Sequence, residues 1–281
     1  MSGTAKLRQV GVGVKLRELR EKSGMTTRSV ASSLGVSPSS VNRTEMGQRI
    51  PNRDEMNALC ALYGVTGDEK VLLVEKAATP LENTAWLELA SREPGEMTSL
   101  TVLEREARSI KNVEVALIPG LAQTPDYSRL MMSTVDVPDQ DLDQRVAARL
   151  GRQALLSRRC PPEVSFFVDE GALRRTLGDT RVMREQLEHL LVVQRRDRVT
   201  LRVIPLDARA HPAMDGSFTL YELPDGELYV FVESRVFGVF LTEPADVDPF
   251  VEACRKLEEH ALDEPGSNAL IEEIVEGLTD E

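Results

Sequence analysis

Apolar and polar residues follow a helical spacing from about residue 13 to residue 77. Leu16 and Leu19 mark the apolar stripe of a first helix, and MTTRSVASSLG gives a short second helix. Ser37 and Pro38 are a helix start signal, because a capping side chain is followed by proline at the first helical position. The predicted helices cover about 13–23, 26–34, 37–46, 52–63 and 67–77.

Residues 84–111 are also predicted to be helical, with an interruption at Pro94 and Gly95. Beyond them, strand-like runs alternate with helices. The sequence therefore predicts an all-α N-terminal domain (1–78), a helical linker (79–112) and a C-terminal α+β domain (113–281) with a mixed or antiparallel sheet. The predicted strands are 113–119, 164–170, 199–205, 217–223, 227–233 and 235–243, and the predicted helices are 125–133, 138–158, 179–195, 245–262 and 267–278.

Two short helices joined by Gly-Val-Ser describe a helix-turn-helix, whose second helix can lie in the major groove of DNA. Val41 and Thr44 are expected to face the core. The outward-facing residues are small or hydrogen-bonding, as contact with base edges requires, and the Arg43 guanidinium can bridge guanine O6 and N7. The predicted base-contacting residues are Ser39, Ser40, Asn42 and Arg43. The alternative for each is a solvated surface position.

Contacts to DNA phosphates are predicted at the rim of this motif. Thr27 and Arg28 begin the second helix, where helix N-termini favour anions. Glu45 is expected to have a structural role, as the partner of Arg17 or Arg20. The predicted phosphate-contacting residues are Lys15, Thr27, Arg28, Gln48 and Arg49.

The charge distribution supports double-stranded DNA as a partner, although the formal net charge of the chain is -12. Residues 1–66 contain ten Lys and Arg against five Asp and Glu, a net charge of +5. The remaining 24 basic and 41 acidic residues give -17. A basic N-terminal domain can therefore approach phosphate while an acidic C-terminal domain stays away from it.

The N-terminal segment resembles the DNA-binding domain of phage-repressor-type (xenobiotic-response-element type) regulators. The resemblance runs from LRELREKSG to ALYGV, and its most specific part is the pattern R-x-E-x-G-x-R-x-P, met in full from Arg43 to Pro51. It implies that Thr27, Ser39, Ser40, Asn42 and Arg43 face the groove. Related sequences often have Lys where Ser40 stands, and the loss of that cation is expected to weaken DNA contact.

Three phrases of the C-terminal half, IPGLAQTPDY (118–127), VDEGALRR (168–175) and AHPAMDGSFTLYELPD (210–225), are similar to a group of actinobacterial regulators of the WhiJ type. The resemblance covers nearly the whole chain. It implies an antitoxin-like regulator whose C-terminal domain binds a small partner protein. Many members have a Trp- and Tyr-rich segment after the linker, where this chain has only Trp86.

Catalysis is not expected of the C-terminal domain. His211, Asp215, Asp169 and Glu170 could support acid–base chemistry, but HPAMDG also suits a turn before a strand, and VDEGALRR suits a strand that passes into a helix. His189, His211 and His260 lack neighbouring ligands at metal-binding spacing. Neither a metal nor a cofactor is predicted.

The sequence as a whole predicts a cytoplasmic, sequence-specific DNA-binding transcription regulator. No run of about 18 apolar residues occurs, so no membrane span is expected. A homodimer is expected, because one small helix-turn-helix reads only a few base pairs. Two alternatives stay open: a regulator that senses a small molecule in its C-terminal domain, and an interaction adaptor that no longer binds DNA.

Overall fold

The computed structural model describes residues 3–78, 85–89, 98–134, 139–234 and 237–278. The chain divides into two compact units, a smaller helical one at the N-terminus and a larger one that contains most of a β-sheet. This arrangement agrees with the predicted fold class, an all-α domain and an α+β domain. The predicted domain limits at residues 78 and 112 stay predictions, and the linker residues 79–84 lie outside the described part.

Five helices form the N-terminal unit. They are α1 (Gly3–Lys22), α2 (Thr27–Leu34), α3 (Pro38–Glu45), α4 (Arg53–Tyr63) and α5 (Gly67–Ala78). Side chains of Thr26, Ser37 and Asn52 cap α2, α3 and α4 by accepting hydrogen bonds from backbone N–H groups. The predicted capping role of Ser37 is thus confirmed. The core of the unit includes Leu16, Val30, Val41, Met56 and Leu59.

Helix α1 begins at Gly3, and the prediction of a start near residue 13 was wrong. Three glycines in this stretch argued against a helix, because glycine is a poor helix former. The structure explains why the third of them, Gly13, is a glycine. A Cβ atom on Gly13 would lie 2.5 Å from the carbonyl oxygen of Thr44 and 2.8 Å from that of Glu45. The backbones of α1 and α3 therefore touch at a point where no side chain fits.

The larger unit contains six strands and most of the remaining helices. Its strands are β2 (Ser109–Glu114), β3 (Glu163–Asp169), β4 (Val199–Ile204), β5 (Phe218–Glu222), β6 (Leu228–Glu233) and β7 (Phe237–Leu241). Its helices are α7 (Pro125–Ser133), α8 (Asp139–Gln153), α9 (Glu170–Arg174), α10 (Thr180–Val193), α11 (Pro244–His260) and α12 (Glu264–Gly277). Helix α6 (Thr98–Glu106) is divided, because Thr98–Leu103 belong to the N-terminal unit and the residues from Glu104 on to the larger one. Short 3-10 helices cover Gly120–Ala122, Ala154–Ser157 and Pro212–Asp215.

The sheet is mixed, with the strand order β1-β7-β6-β5-β2-β3-β4, where β1 is Ala85–Leu89. Strands β2, β3 and β4 run parallel, whereas β5, β6 and β7 pair antiparallel. Strand β2 pairs with both groups, since its other neighbour β5 runs antiparallel to it. A hairpin turn at LPDG (223–226) connects β5 to β6, and in it the Gly226 N–H donates to the Leu223 carbonyl at 2.9 Å.

The helix predicted over 84–111 is wrong in part. Residues 85–89 form β1, residues 98–106 form α6 as predicted, and residues 90–97 lie outside the described part. In AWLEL, the apolar residues suit a helix or a strand equally well over so short a window.

The strand predicted at 113–119 is displaced, because β2 spans Ser109–Glu114. Polar residues conceal this strand in the sequence. The Lys111 ammonium pairs with Glu258 at 2.9 Å, and the Asn112 amide donates to the Thr219 hydroxyl at 2.8 Å. Both partners are more than 100 residues away along the chain, so the pattern of hydrophobicity alone does not reveal the strand.

The two faces of β2 and β5 differ in polarity. One face packs against α11 through an apolar cluster that includes Val113, Phe218, Leu220 and Leu257. Side chains alternate along a strand, so the opposite face carries Asn112, Glu114, Thr219 and Tyr221. The positions of β3 that pair with β2 on this second face, Val164, Phe166 and Val168, are apolar, so its polar groups do not extend from β2 to β3.

Candidate nucleic-acid interface

The turn between α2 and α3 has the backbone geometry that a helix-turn-helix needs. Gly35 ends α2 in the left-handed conformation, with a φ of 66°, and Val36 packs partly against the core. The Ser37 hydroxyl then accepts a hydrogen bond from the Ser40 N–H at 3.2 Å, and Pro38 occupies the first turn of α3. These local signals fix where α3 starts and in which direction it leaves the turn.

Helix α3 separates its packing residues from its outward residues. Val41 and Thr44 are buried, at 5% and 3% exposure, as predicted. Ser39, Asn42 and Arg43 are exposed and lie on one face, because positions i, i+3 and i+4 are neighbours on a helix.

Ser40 differs from the other predicted base-contacting residues. It is half-buried, its N–H is used by the Ser37 cap, and its carbonyl oxygen accepts from the Thr44 hydroxyl at 3.1 Å. The structure therefore brings Ser39, Asn42 and Arg43 together and leaves Ser40 at their edge.

Arg43 and Arg28 are cations whose side chains have no partner in the part of the chain that the structure describes. Both side chains are exposed, and within the described ranges neither forms an ion pair or a side-chain hydrogen bond. Arg28 lies in the first turn of α2 next to the half-buried Thr27, and Gln48 is exposed after α3. These guanidinium groups can bind an external anion without first breaking an internal ion pair.

Lys15 and Arg49 have carboxylate partners inside the N-terminal unit. The Lys15 ammonium lies 3.2 Å from Glu69, and its side chain is only 13% exposed. Arg49 donates from both terminal nitrogens to Glu55, at 3.0 and 3.1 Å, and it lowers the pKa of that carboxyl. Their predicted phosphate contacts stay predictions, and such contacts would compete with these ion pairs.

Glu45 pairs with Arg20, one of the two partners predicted for it. The guanidinium donates to both carboxylate oxygens, at 2.7 and 3.0 Å, and the two side chains are 11% and 7% exposed. A further Arg20 nitrogen donates to the Met25 carbonyl at 3.0 Å. This ion pair, which raises the pKa of Arg20, ties α1 to α3 and to the residues that precede α2. The contact with Met25 has no signal in the sequence.

Three of the four residues considered for catalysis, Asp169, Glu170 and His211, make contacts within the larger unit. Asp169 caps α9 by accepting from the Gly171 N–H at 2.8 Å. Glu170 pairs with Arg174 at 2.6 Å. His211 precedes the 3-10 helix that contains the exposed Asp215, and the ring of His211 lies 6.2 Å from that of His260. The predicted strand-to-helix transition at VDEGALRR is thus confirmed.

Among the described residues, no group of three or more His, Cys, Asp or Glu side chains is arranged to hold a metal ion. Within the same ranges, every helix is too short or too polar to cross a membrane.

Comparison with known proteins identifies the class of the N-terminal unit. Residues 12–73 match a family model described as a helix-turn-helix domain, a class that serves DNA binding and transcription regulation. Residues 97–273 match the model of a family described as a domain of unknown function, DUF5753. This match covers more than half of the chain, and the protein belongs to that family. The likeness to WhiJ-type regulators stays a prediction, and so does the assignment to the xenobiotic-response-element type.

Solved structures give only distant similarities. A phospholipase D family member, Nuc from Salmonella typhimurium, is 11% identical with a TM-score of 0.34, over 64% of this chain and 96% of that one. TrmBL2, an archaeal chromatin protein, is 12% identical with a TM-score of 0.31, over 69% and 60% of the respective chains. No curated protein matches. Neither similarity is close enough to inform the function.

Proposed function

We propose that the protein is a sequence-specific DNA-binding transcription regulator that acts as a homodimer. The observation that carries the proposal is the surface of α3, where Ser39, Asn42 and Arg43 are exposed together while Val41 and Thr44 hold the helix in the core. An eight-residue helix with small polar side chains and one unpaired guanidinium suits the major groove of DNA.

The proposed roles follow from the availability of each side chain. Arg43 reads a guanine, and Ser39, Asn42 and, at the edge, Ser40 contact neighbouring bases. Arg28 and Thr27 hold a phosphate at the start of α2, with Gln48 as a further phosphate contact. Lys15 and Arg49 would contact phosphate only if their ion pairs with Glu69 and Glu55 were broken.

Dimerisation is proposed on grounds of specificity. One helix-turn-helix contacts a few base pairs, and two of them placed about 34–36 Å apart on one side of the duplex read a longer, symmetric site. A binding site selected from random DNA should therefore contain two related half-sites. Selection of a single half-site, bound by one chain, would contradict the dimer.

The experiment that tests DNA binding compares Arg43→Ala with Arg28→Ala. On oligonucleotides selected by the unmodified protein, Arg43→Ala should relax the preference at one base position and cost about 1–3 kcal/mol. Arg28→Ala should weaken binding to all DNA sequences by the same factor. It should also reduce the magnitude of the slope of log K against log salt concentration by about one.

Arg195→Ala, an exposed arginine of the larger unit, is the control and should leave both quantities unchanged. Equal loss on all sequences for Arg43→Ala would reduce Arg43 to a phosphate contact. Absence of any salt-dependent binding to selected DNA would instead favour the adaptor.

We further propose that the C-terminal domain binds a small partner protein and is not an enzyme. The support for the partner is the resemblance of 118–127, 168–175 and 210–225 to WhiJ-type regulators. Purification of the native protein from its own cells, followed by reconstitution with each small protein that accompanies it, tests this. A stoichiometric complex with one such protein is expected, and recovery of the regulator alone would count against the proposal.

A further inference from the structure

Three chain segments converge at one edge of the sheet in the larger unit. The parallel strands β2, β3 and β4 end there at Glu114, Asp169 and Ile204. Strand β5 begins at the same edge, because Phe218 pairs with Val113. Segment 118–127 follows the end of β2, segment 168–175 includes the end of β3, and the first part of segment 210–225 leads into β5. In sheets with parallel strands, ligands bind outside the carboxyl ends of the strands, near the point where the strand connections change direction.

A chain of hydrogen bonds builds the polar side of this edge. The Ile118 N–H donates to the Tyr127 hydroxyl at 3.1 Å, and the Gln123 amide donates to the Ile118 carbonyl at 2.8 Å. Arg149 of α8 then donates to the Gln123 amide oxygen at 2.9 Å. The loop after β2 is thereby fixed, and a guanidinium is held next to it. The Tyr127 oxygen accepts from Ile118, so its own proton can be donated elsewhere.

Arg149 and Glu114 carry opposite charges and influence each other's pKa electrostatically, but they form no direct ion pair. Arg149 and Glu114 are half-buried, and in the described parts of the chain neither lies within 4.0 Å of an oppositely charged group. Asn112 and Ser217 hydrogen-bond to the Glu114 carboxyl, and the nearby Glu233 repels its charge. One turn before Arg149, the buried Nε of Arg145 has no hydrogen-bond partner within the described ranges.

Arg152, on the same helix as Arg149, provides a comparison, because its guanidinium has a carboxylate partner. Arg152 donates to both oxygens of Glu104, at 2.8 and 2.6 Å. A buried charge is costly unless it is paired, so Arg152 is satisfied, whereas among the described residues the side chain of Arg149 has only the neutral Gln123 amide as its partner. Burial raises the pKa of Glu114 to about 7, which shows that the charged carboxylate is poorly stabilised by its surroundings.

We propose that Arg149 and Glu114 form a binding site for a small zwitterion of the α-amino acid class. The carboxylate of such a ligand would accept from Arg149, with Arg145 as a second cation, and its ammonium group would donate to Glu114. Both protein charges would then be paired. The inference goes beyond the proposed function and does not depend on DNA binding.

The test measures ligand binding by the full chain in the absence of DNA. Each standard α-amino acid is screened at millimolar concentration for an increase in Tm, and any that stabilises the protein is titrated by calorimetry. The matched hydroxy acid and amine, each of which lacks one of the two charges, are titrated beside it. The expected result is binding of one or a few amino acids, with roughly ten- to hundredfold weaker binding of both analogues.

Two variants locate the site. Glu114→Gln keeps the size and hydrogen-bonding capacity of the side chain but removes its charge. It should weaken binding of the amino acid roughly tenfold or more and binding of the hydroxy acid less. Arg149→Lys should weaken both. Glu188→Gln and Arg195→Lys change exposed residues of the same unit and should leave binding unchanged.

Several results would overturn the proposal. They are the absence of binding by any amino acid, equal binding by the unmodified protein and both site variants, and binding of inorganic phosphate or of the hydroxy acid as tight as that of the amino acid. Because no DNA is present, none of these outcomes bears on the role of α3.

Discussion

Replacement of Glu114 by glutamine should change how the stability of the larger unit depends on pH. The ordinary pKa of this carboxyl is 4.5, and burial raises it to about 7 in the folded chain. Between these two values the folded state holds a proton that the unfolded state has lost. The free energy of unfolding of the unmodified protein should therefore fall as the pH rises from 4.5 to 7 and level off above 7. A glutamine side chain does not titrate, so the Glu114→Gln variant lacks this contribution.

The expected size follows from the two pKa values. Each pH unit between 4.5 and about 7 is worth about 1.4 kcal/mol, so Glu114 contributes about 3 kcal/mol over the interval. Its stabilising contribution is complete below pH 4.5 and is lost as the pH rises through 7. The difference in unfolding free energy, variant minus unmodified protein, should grow by about 3 kcal/mol over the same range.

Urea unfolding at a series of pH values measures this difference. Near-ultraviolet circular dichroism of tyrosine reports on the larger unit, which contains three of the four tyrosines, Tyr127, Tyr221 and Tyr229, all buried. The exposed Glu188→Gln controls for the effect of a Glu→Gln change as such. Parallel pH profiles for Glu114→Gln and the unmodified protein would refute the reasoning, since Glu114 would then have a similar pKa in the folded and unfolded states.

Two further predictions concern the N-terminal unit. Gly13→Ala places a Cβ 2.5 Å from the Thr44 carbonyl oxygen, so it should destabilise the unit by about 1–3 kcal/mol and weaken DNA binding. The control is Gly151→Ala in α8, where an added Cβ meets no atom within 4 Å, and it should be neutral or stabilising by up to about 1 kcal/mol. If the two variants changed the free energy of unfolding equally, the close contact between Gly13 and the Thr44 carbonyl would be contradicted. Glu45→Gln leaves Arg20 buried without its ion pair and should lower the free energy of unfolding, measured by chemical denaturation, by about 3–5 kcal/mol. A loss of DNA affinity without a loss of stability would instead indicate that Glu45 contacts a base.

The helix-turn-helix could be predicted from the sequence because its signals are local. Thr26 and Ser37 cap helices a few residues away, and Gly35 adopts the backbone conformation that the turn needs. The burial of Val41 and Thr44 follows from helical spacing alone. Each of these signals acts within one or two turns of helix.

The errors arose where distant residues decide the structure. Strand β2 is held by β3 and β5, which lie more than 50 residues away, so its limits could not be read from 109–119. The ion pair of Lys15 with Glu69 of α5 was likewise not indicated by the local sequence, while the predicted phosphate contact of Lys15 stays a prediction. Local sequence cannot reveal a partner that only the tertiary structure brings close.

The cluster at the sheet edge was missed for the same reason. Glu114 ends a strand whose limits were misplaced, and Arg149 lies on a helix rich in arginine, where it resembles its solvated neighbours. A sequence signal did exist in 118–127, but it suggested a family and gave no indication that Gln123 and Tyr127 hold the loop beside these charges.

Helix α3 has a consequence for how this protein could diversify. The residues that anchor it, Val41, Thr44 and Glu45, are different from those that it presents outward, Ser39, Asn42 and Arg43. Substitutions at the outward positions leave the anchoring contacts intact. Duplicated copies of such a gene could therefore acquire new operators through two or three codon changes on an unaltered scaffold.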